Sequence, residues 1–179
     1  MTPSTLLKYA LACAILFPGV GCNSKSAPTP ENFIQGLNKH FADHPDCLFS
    51  NMRFPYETSD RKETAQMDTL VASKLLDKTV ESAIHVNRYT VNSVGTRYAP
   101  RFCYGHRVVN TIDSSTPPVI VNGFKQTQVT YHYSMQEVPV WAKSADVLAA
   151  FPAMAEMTSG KATGAATLAQ TTVGWQVPD

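Results

Sequence analysis

His40 and His44 stand four residues apart, with Asp43, Asp46 and Cys47 close behind. Two imidazoles at that spacing share one face of a helix and can grip a divalent metal. The glutamate that a zinc peptidase carries beside its first histidine is missing, because Lys39 and Phe41 flank His40. No third ligand is evident. The pair is equally a polar helix end, where a cation near the carboxyl terminus is favoured. His106 lies in RFCYGHR with Arg101, Phe102, Tyr104 and Arg107. Such a cluster suits an anionic or sugar ligand, or else a bend opening a sheet, with Gly105 as pivot and the aromatics in the core. The bend is the simpler reading. His132 shares a strand face with Ser134, near Glu137, but no Gly-x-Ser-x-Gly elbow is present to expose a nucleophile. The chain has no phosphate-binding loop, no Gly-x-Gly-x-x-Gly and no Cys-x-x-Cys. No cofactor is implied. Tyr131, Tyr133 and Trp141 are aromatic enough to line a groove, although aromatics on one strand face are more often core.

Of the four cysteines, Cys13 and Cys22 sit in an apolar leader whose one charged side chain is Lys8. LACAILF is too short for a bilayer, which needs about 20 apolar residues, and fits the apolar core of a secretory signal peptide. Pro18 and Gly19 break a helix before the cut, and Gly21 precedes Cys22. This leader, LFPGVGC at its end, resembles the lipobox of bacterial lipoproteins, with Gly19 where that family favours Leu. The resemblance implies cleavage after residue 21, lipidation of Cys22 and a membrane anchor. Asn23 in place of the Asp that retains some lipoproteins in the inner membrane favours the outer membrane. The alternative is ordinary secretion into the periplasm or beyond.

An exported chain left with Cys47 and Cys103 is expected to pair them. Closing a loop of that length is worth about 4 kcal/mol in the chain-entropy model. The whole chain carries 15 basic and 14 acidic residues, so without Lys8 the remainder is formally neutral. A neutral chain lacks the basic face of a nucleic-acid binder, which excludes nucleic acid as the expected partner.

These residues must be positioned by a single domain over 30–179, which is long enough for one real core. Residues 22–29 read as a tether that would lift it about 20 Å from a membrane. Thr29 and Pro30 predict a helix start, Phe33, Leu37 and Phe41 its apolar stripe, and His44-Pro45 its end. Residues 46–60 read as loop. A second helix is expected over 61–76, then strand-like alternation over 83–94. The half from 101 onward is β-rich: a strand over 107–112, Val119–Val121, an Asn122-Gly123 turn, and a long strand with Val129, Tyr131, Tyr133 and Met135 on one face. A short helix over 145–151, a loop over 158–164 and a closing strand over 165–177 complete the chain.

Residues 67–99, with LVASKLL, a hairpin and YTVNSVGTRY, resemble part of a winged-helix domain. The resemblance implies a helix-and-hairpin fold for 30–100, not DNA binding. The expected class is therefore α+β, with a helical, winged-helix-like front packed on an antiparallel sheet. The expected role is a non-enzymatic envelope lipoprotein that binds a protein or cell-wall partner. The alternatives are an envelope hydrolase using His40 and His44 or His106, and a nucleic-acid-binding winged helix whose leader is misread.

Overall fold

Thr29 and Pro30 open the first helix as their chemistry requires. In the computed structural model, which describes residues 24–178, α1 spans Pro30–Asp43. The Thr29 hydroxyl accepts from the Asn32 backbone N–H at 3.4 Å, satisfying one of the orphan donors of a helix start. Phe33, Leu37 and Phe41 face inward and are buried. His44 is the C-cap, and Pro45 follows. The leader, Cys13 and Cys22 lie outside the described residues.

The fold is α+β. Strands β1 (Asp46–Cys47) and β2 (Tyr56–Thr58) occupy the stretch expected to be loop, and α2 spans Arg61–Ala72. Strands β3 (Leu76–Glu81) and β4 (Val86–Val91) form a hairpin, and β5 (Cys103–Ser115) begins the β-rich half. Then come β6 (Val119–Val121), β7 (Phe124–Gln136), α3 (Ala145–Ala150), α4 (Pro152–Thr158), β8 (Ala162–Thr171) and β9 (Gly174–Gln176). One antiparallel sheet runs β1-β5-β7-β8-β9, with β6 paired to β7; a second runs β2-β4-β3. Thr116, Pro117 and Pro118 interrupt what would otherwise be one strand, because β5 and β6 pair along the same side of β7. No helix among the described residues is long and apolar enough to cross a membrane.

Several boundaries differ from the sequence expectation for identifiable reasons. The second helix stops at Ala72, four residues short of the expected 76. Lys74 adopts φ 61°, and the Leu75 N–H donates back to the Leu70 carbonyl at 3.0 Å, a left-handed closure that satisfies a late carbonyl. Leu75 and Leu76 therefore leave the helix, and both are buried. Ile84 lies in the β3–β4 turn and is exposed rather than in a strand. The closing strand is two strands, β8 and β9, reversing at Thr172 and Val173. α4 was not expected; it starts on Pro152, which suits a first helical position. The helix and hairpin that carry the winged-helix resemblance are both present, with a single helix between β2 and β3.

Two hydrophobic clusters hold the elements. One lies between α1 and the larger sheet and contains Phe33, Leu37, Phe41, Val129, Tyr131, Tyr133, Leu168 and Trp175. Gly36 lets α1 come this close to β9, since a Cβ there would collide with the Trp175 carbonyl oxygen. The other lies among α2, α3, α4 and the smaller sheet, around Met67, Leu70, Leu76, Tyr89, Phe102, Trp141, Val147 and Met154. Met135 touches both. The Cys47–Cys103 disulfide joins β1 to the start of β5, where the two cysteines are cross-strand partners.

From Ser24 onward, the segment read as a tether is part of the domain. The Ala27 carbonyl accepts from the Trp175 indole N–H at 3.0 Å and from the Asn32 side chain at 2.8 Å. The Gln170 side chain donates to the Ser26 carbonyl at 3.0 Å. These bonds spend the backbone polar groups of the segment on the protein rather than on water, so the expected 20 Å standoff is not built by residues 24–29.

Candidate functional site

A cleft of about 620 Å³ lies between the C-terminal end of α2 and the start of α3. Its position follows from three chain breaks. The left-handed Lys74 turns the chain out of α2 and places Leu75 in the wall. The Asn92 side chain then accepts from the Val94 and Gly95 N–H groups, at 3.0 Å each. That local turn, an alternative to continuing the strand, sets up a 3-10 turn at Gly95–Arg97 that presents Tyr98. Pro139 ends the extended chain after β7 and begins a second 3-10 turn, Val140–Lys143, which carries Trp141 into the floor.

The cleft is mostly apolar. Tyr98 and Trp141 meet edge to face with centroids 5.8 Å apart, the geometry that aromatic quadrupoles prefer. Phe102 supports Trp141 from the core at 6.4 Å. Val140 is 88% exposed and Val94 49% exposed. Both valines lie at the rim of the aromatic floor. The Trp141 indole N–H is buried and has no hydrogen-bond partner among the described residues, a state that costs about 1–3 kcal/mol. Asp146 is the single carboxylate lining the cleft, and no histidine, cysteine, lysine or arginine lines it. The lining can bury an apolar segment and orient one donor; it holds no acid–base pair.

Apart from Trp141, the residues picked out from the sequence fall outside this cleft; His40, Arg107 and Tyr131 line a separate hollow of about 430 Å³ with Phe41 and Val177, and His44, His106 and His132 lie apart from it. The His40 and His44 rings stack at 4.2 Å and 15°, and His44 Nδ1 lies 2.8 Å from the His40 carbonyl. No group of three or more metal-ligating side chains occurs among the described residues. His106 lies 3.5 Å from the exposed Glu137 carboxylate, while its neighbours Phe102 and Tyr104 are in the core. His132 contacts neither Ser134 nor Glu137 in an ion pair; its partner is Asp113 on β5, at 2.7 Å on the exposed sheet face. Ser134 turns instead to Asn110. Tyr131 and Tyr133 are buried, so of the three candidate groove aromatics only Trp141 lines the cleft.

The strongest electrostatic feature is structural. Arg107 makes a two-pronged bond to Asp46 at 2.7 and 3.0 Å. Its guanidinium also lies 5.2 Å from both the Phe41 and the Tyr133 ring centroids. Burial, the largest single effect, disfavours the charge, but the hydrogen bonds and the charge of Asp46 together with Tyr133 and Tyr131 outweigh it and push the guanidinium further up. This pair links β1 to the α1 core beside the disulfide. Tyr104, one strand position from Cys103, is pushed up to about 12 by burial, with Asp46 adding to it. Glu63 is pulled below the ordinary carboxylate value by hydrogen bonds from the Thr58 and Tyr56 hydroxyls, at 2.6 Å each.

The cleft was not anticipated from the sequence. Its walls come from three separate segments, and the one local signal was the run Pro139-Val140-Trp141 after a strand. Compared with known proteins, the chain matches no family model, no curated protein and no solved structure.

Proposed function

We propose that the protein is an envelope lipoprotein, anchored through Cys22, that works without catalysis as a binding module for an apolar segment of a partner protein. The observation that carries the binding reading is the Tyr98–Trp141 cleft. It combines an aromatic floor, an exposed apolar rim and one carboxylate, Asp146, with no histidine, cysteine, lysine or arginine in the lining to pair with it in general acid–base chemistry. Ligand pockets are lined in this way, mostly apolar with a few polar groups. The lipidated anchor and the outer-membrane location rest on the LFPGVGC leader. The winged-helix likeness is kept as a description of α2 with its hairpin.

The test is site-specific photo-crosslinking in the native envelope. A crosslinking side chain at Val140 is expected to give one discrete adduct, abolished by Tyr98→Ala. The same group at Thr130, on the solvated sheet face, is expected to give none. Equal adducts from both positions, or an adduct indifferent to Tyr98→Ala, would sink the proposal.

A further inference from the structure

The turn of the β6–β7 hairpin leaves Val119, Ile120, Val121 and Phe124 exposed, Ile120 by 75% and Phe124 by 55%. Four large apolar side chains on two strands facing water are not accounted for by packing within the domain. The register places them. Gln126 on β7 pairs with Ala169 on β8, and Gln170 with Trp175 on β9. The β6–β7 turn therefore lies at the same end of the sheet as the β8–β9 turn, where Val173 is also exposed. The chain enters the domain at this end, since Gln170 holds Ser26 and Trp175 holds Ala27. Two strand spacings separate β8 from β6, about 10 Å. Ser24, where the described chain starts, is two residues after Cys22.

We infer that this end of the sheet faces the bilayer, with the Val119–Phe124 turn seated in the interfacial layer of the membrane that holds the Cys22 anchor. The inference rests on the lipoprotein reading proposed above. With 24–29 bound to the domain, a lipid on Cys22 brings this end against the surface. Charge agrees. Lys25 and Lys125 are exposed here, and no acidic residue occurs in 24–30, 114–130 or 159–178. Glu31, in the first turn of α1, is an exposed acid beside the entry segment, whereas the hairpin tip itself carries Lys125 and no acid; an apolar tip with a lysine on it and Lys25 on the entry segment suits an anionic phospholipid surface. The orientation also sets the cleft. β7 spans 13 residues from the tip to Gln136, about 40 Å of strand, and Pro139 to Trp141 follow its far end. The cleft thus faces away from the membrane and meets partners from the aqueous side.

The test uses the full-length protein, purified from its membrane and reconstituted in phosphatidylethanolamine vesicles holding one-quarter phosphatidylglycerol. Phe124→Trp adds an emitter at the tip, and Val140→Trp adds one at the cleft as a control. Lipids brominated on their acyl chains are expected to quench the emission added by Phe124→Trp at least threefold more than that added by Val140→Trp. The intact mass of the same sample reads the anchor. Acyl mass on Cys22 with equal quenching at both positions overturns the membrane contact and leaves the anchor standing. A sample without acyl mass overturns the anchor and this inference with it. A dimer dispersed by Ile120→Lys would assign the tip to a second copy of the chain, which also overturns it.

Discussion

Along β7, the face packed on α1 buries Thr127, Val129, Tyr131 and Tyr133 at every second residue; around α2, the buried residues arrive from α2, β3, β4, β5, a 3-10 turn, α3 and α4. The two cores share β5, β7 and Met135 but are closed by different means. The α1 core is a helix stripe on a sheet face, two periodic surfaces that fit along their whole length. The α2 core is assembled from short pieces. Its gaps are filled by aromatic rings at edge-to-face angles, as with Phe49, Phe54 and Phe102. Periodic surfaces leave little room between them. Short pieces meeting at several angles leave a crevice, and the Tyr98–Trp141 cleft is that crevice. The difference places the closely fitted surfaces along α1 and the crevice beside α2.

The comparison can be broken most directly at the junction. Cys103→Ser removes the cross-link between β1 and β5, and the chain-entropy model puts the loss at about 4 kcal/mol. Denaturant titration is expected to lower the midpoint with a single transition, because β5 runs through both cores. Two separated transitions would show that the cores unfold independently. A smaller and sharper contrast comes from Leu168→Ala in the α1 core and Leu70→Ala in the α2 core, both fully buried. Each is expected to cost about 2–5 kcal/mol, with the spread set by how well the site collapses. The looser α2 core relaxes more, so Leu70→Ala is expected to lie at the lower end. The reverse order in thermal or chemical denaturation would contradict the packing contrast.

The smallest effect expected is a titration. Burial raises Tyr104 from 10.0 to about 12, so its neutral form is favoured in the fold. That contribution is complete below pH 10 and is lost as the pH rises from 10 through 12. Burial also raises Tyr89, Tyr131 and Tyr133, and the Glu63 hydrogen bond raises Tyr56, so phenolate absorbance should show several tyrosines titrating late, one fewer in Tyr104→Phe, while stability falls over the same interval. A Tyr104→Phe protein with the same alkaline loss would remove Tyr104 as its cause.

The parts of the fold legible beforehand were those with a local cause. Thr29-Pro30 marks a helix start, Asn122-Gly123 a hairpin, and the Val129–Tyr133 alternation a half-buried strand. The pairing of Cys47 with Cys103 followed from their number and the exported reading. The misplacements share another origin. Leu75 and Leu76 continue the apolar stripe of α2, and the alternation of stability between helix and strand there is decided by the left-handed Lys74. Ala165 to Val177 is rich in small and β-branched residues, and the local mark of the reversal at Thr172 and Val173 is Gly174, whose φ is 120°. Among the chemistry-bearing residues, the reading of Phe102 and Tyr104 as core holds. The partners of His132 and Arg107 were out of reach, since Asp113 and Asp46 are 19 and 61 residues away.

By itself, the sequence determined the class, α+β, the first helix with its cap, the long hairpin of the β-rich half and the cysteine pair. Each depends on side-chain type and spacing within about one element, where propensity, capping and periodicity act. Only the tertiary structure decided that residues 24–29 bind β8 and β9, that Arg107 reaches Asp46, and that the apolar hairpin turn and the cleft occupy opposite ends of β7. Those are contacts between segments far apart in the chain, and their energy comes from surfaces that exist only once the elements have packed.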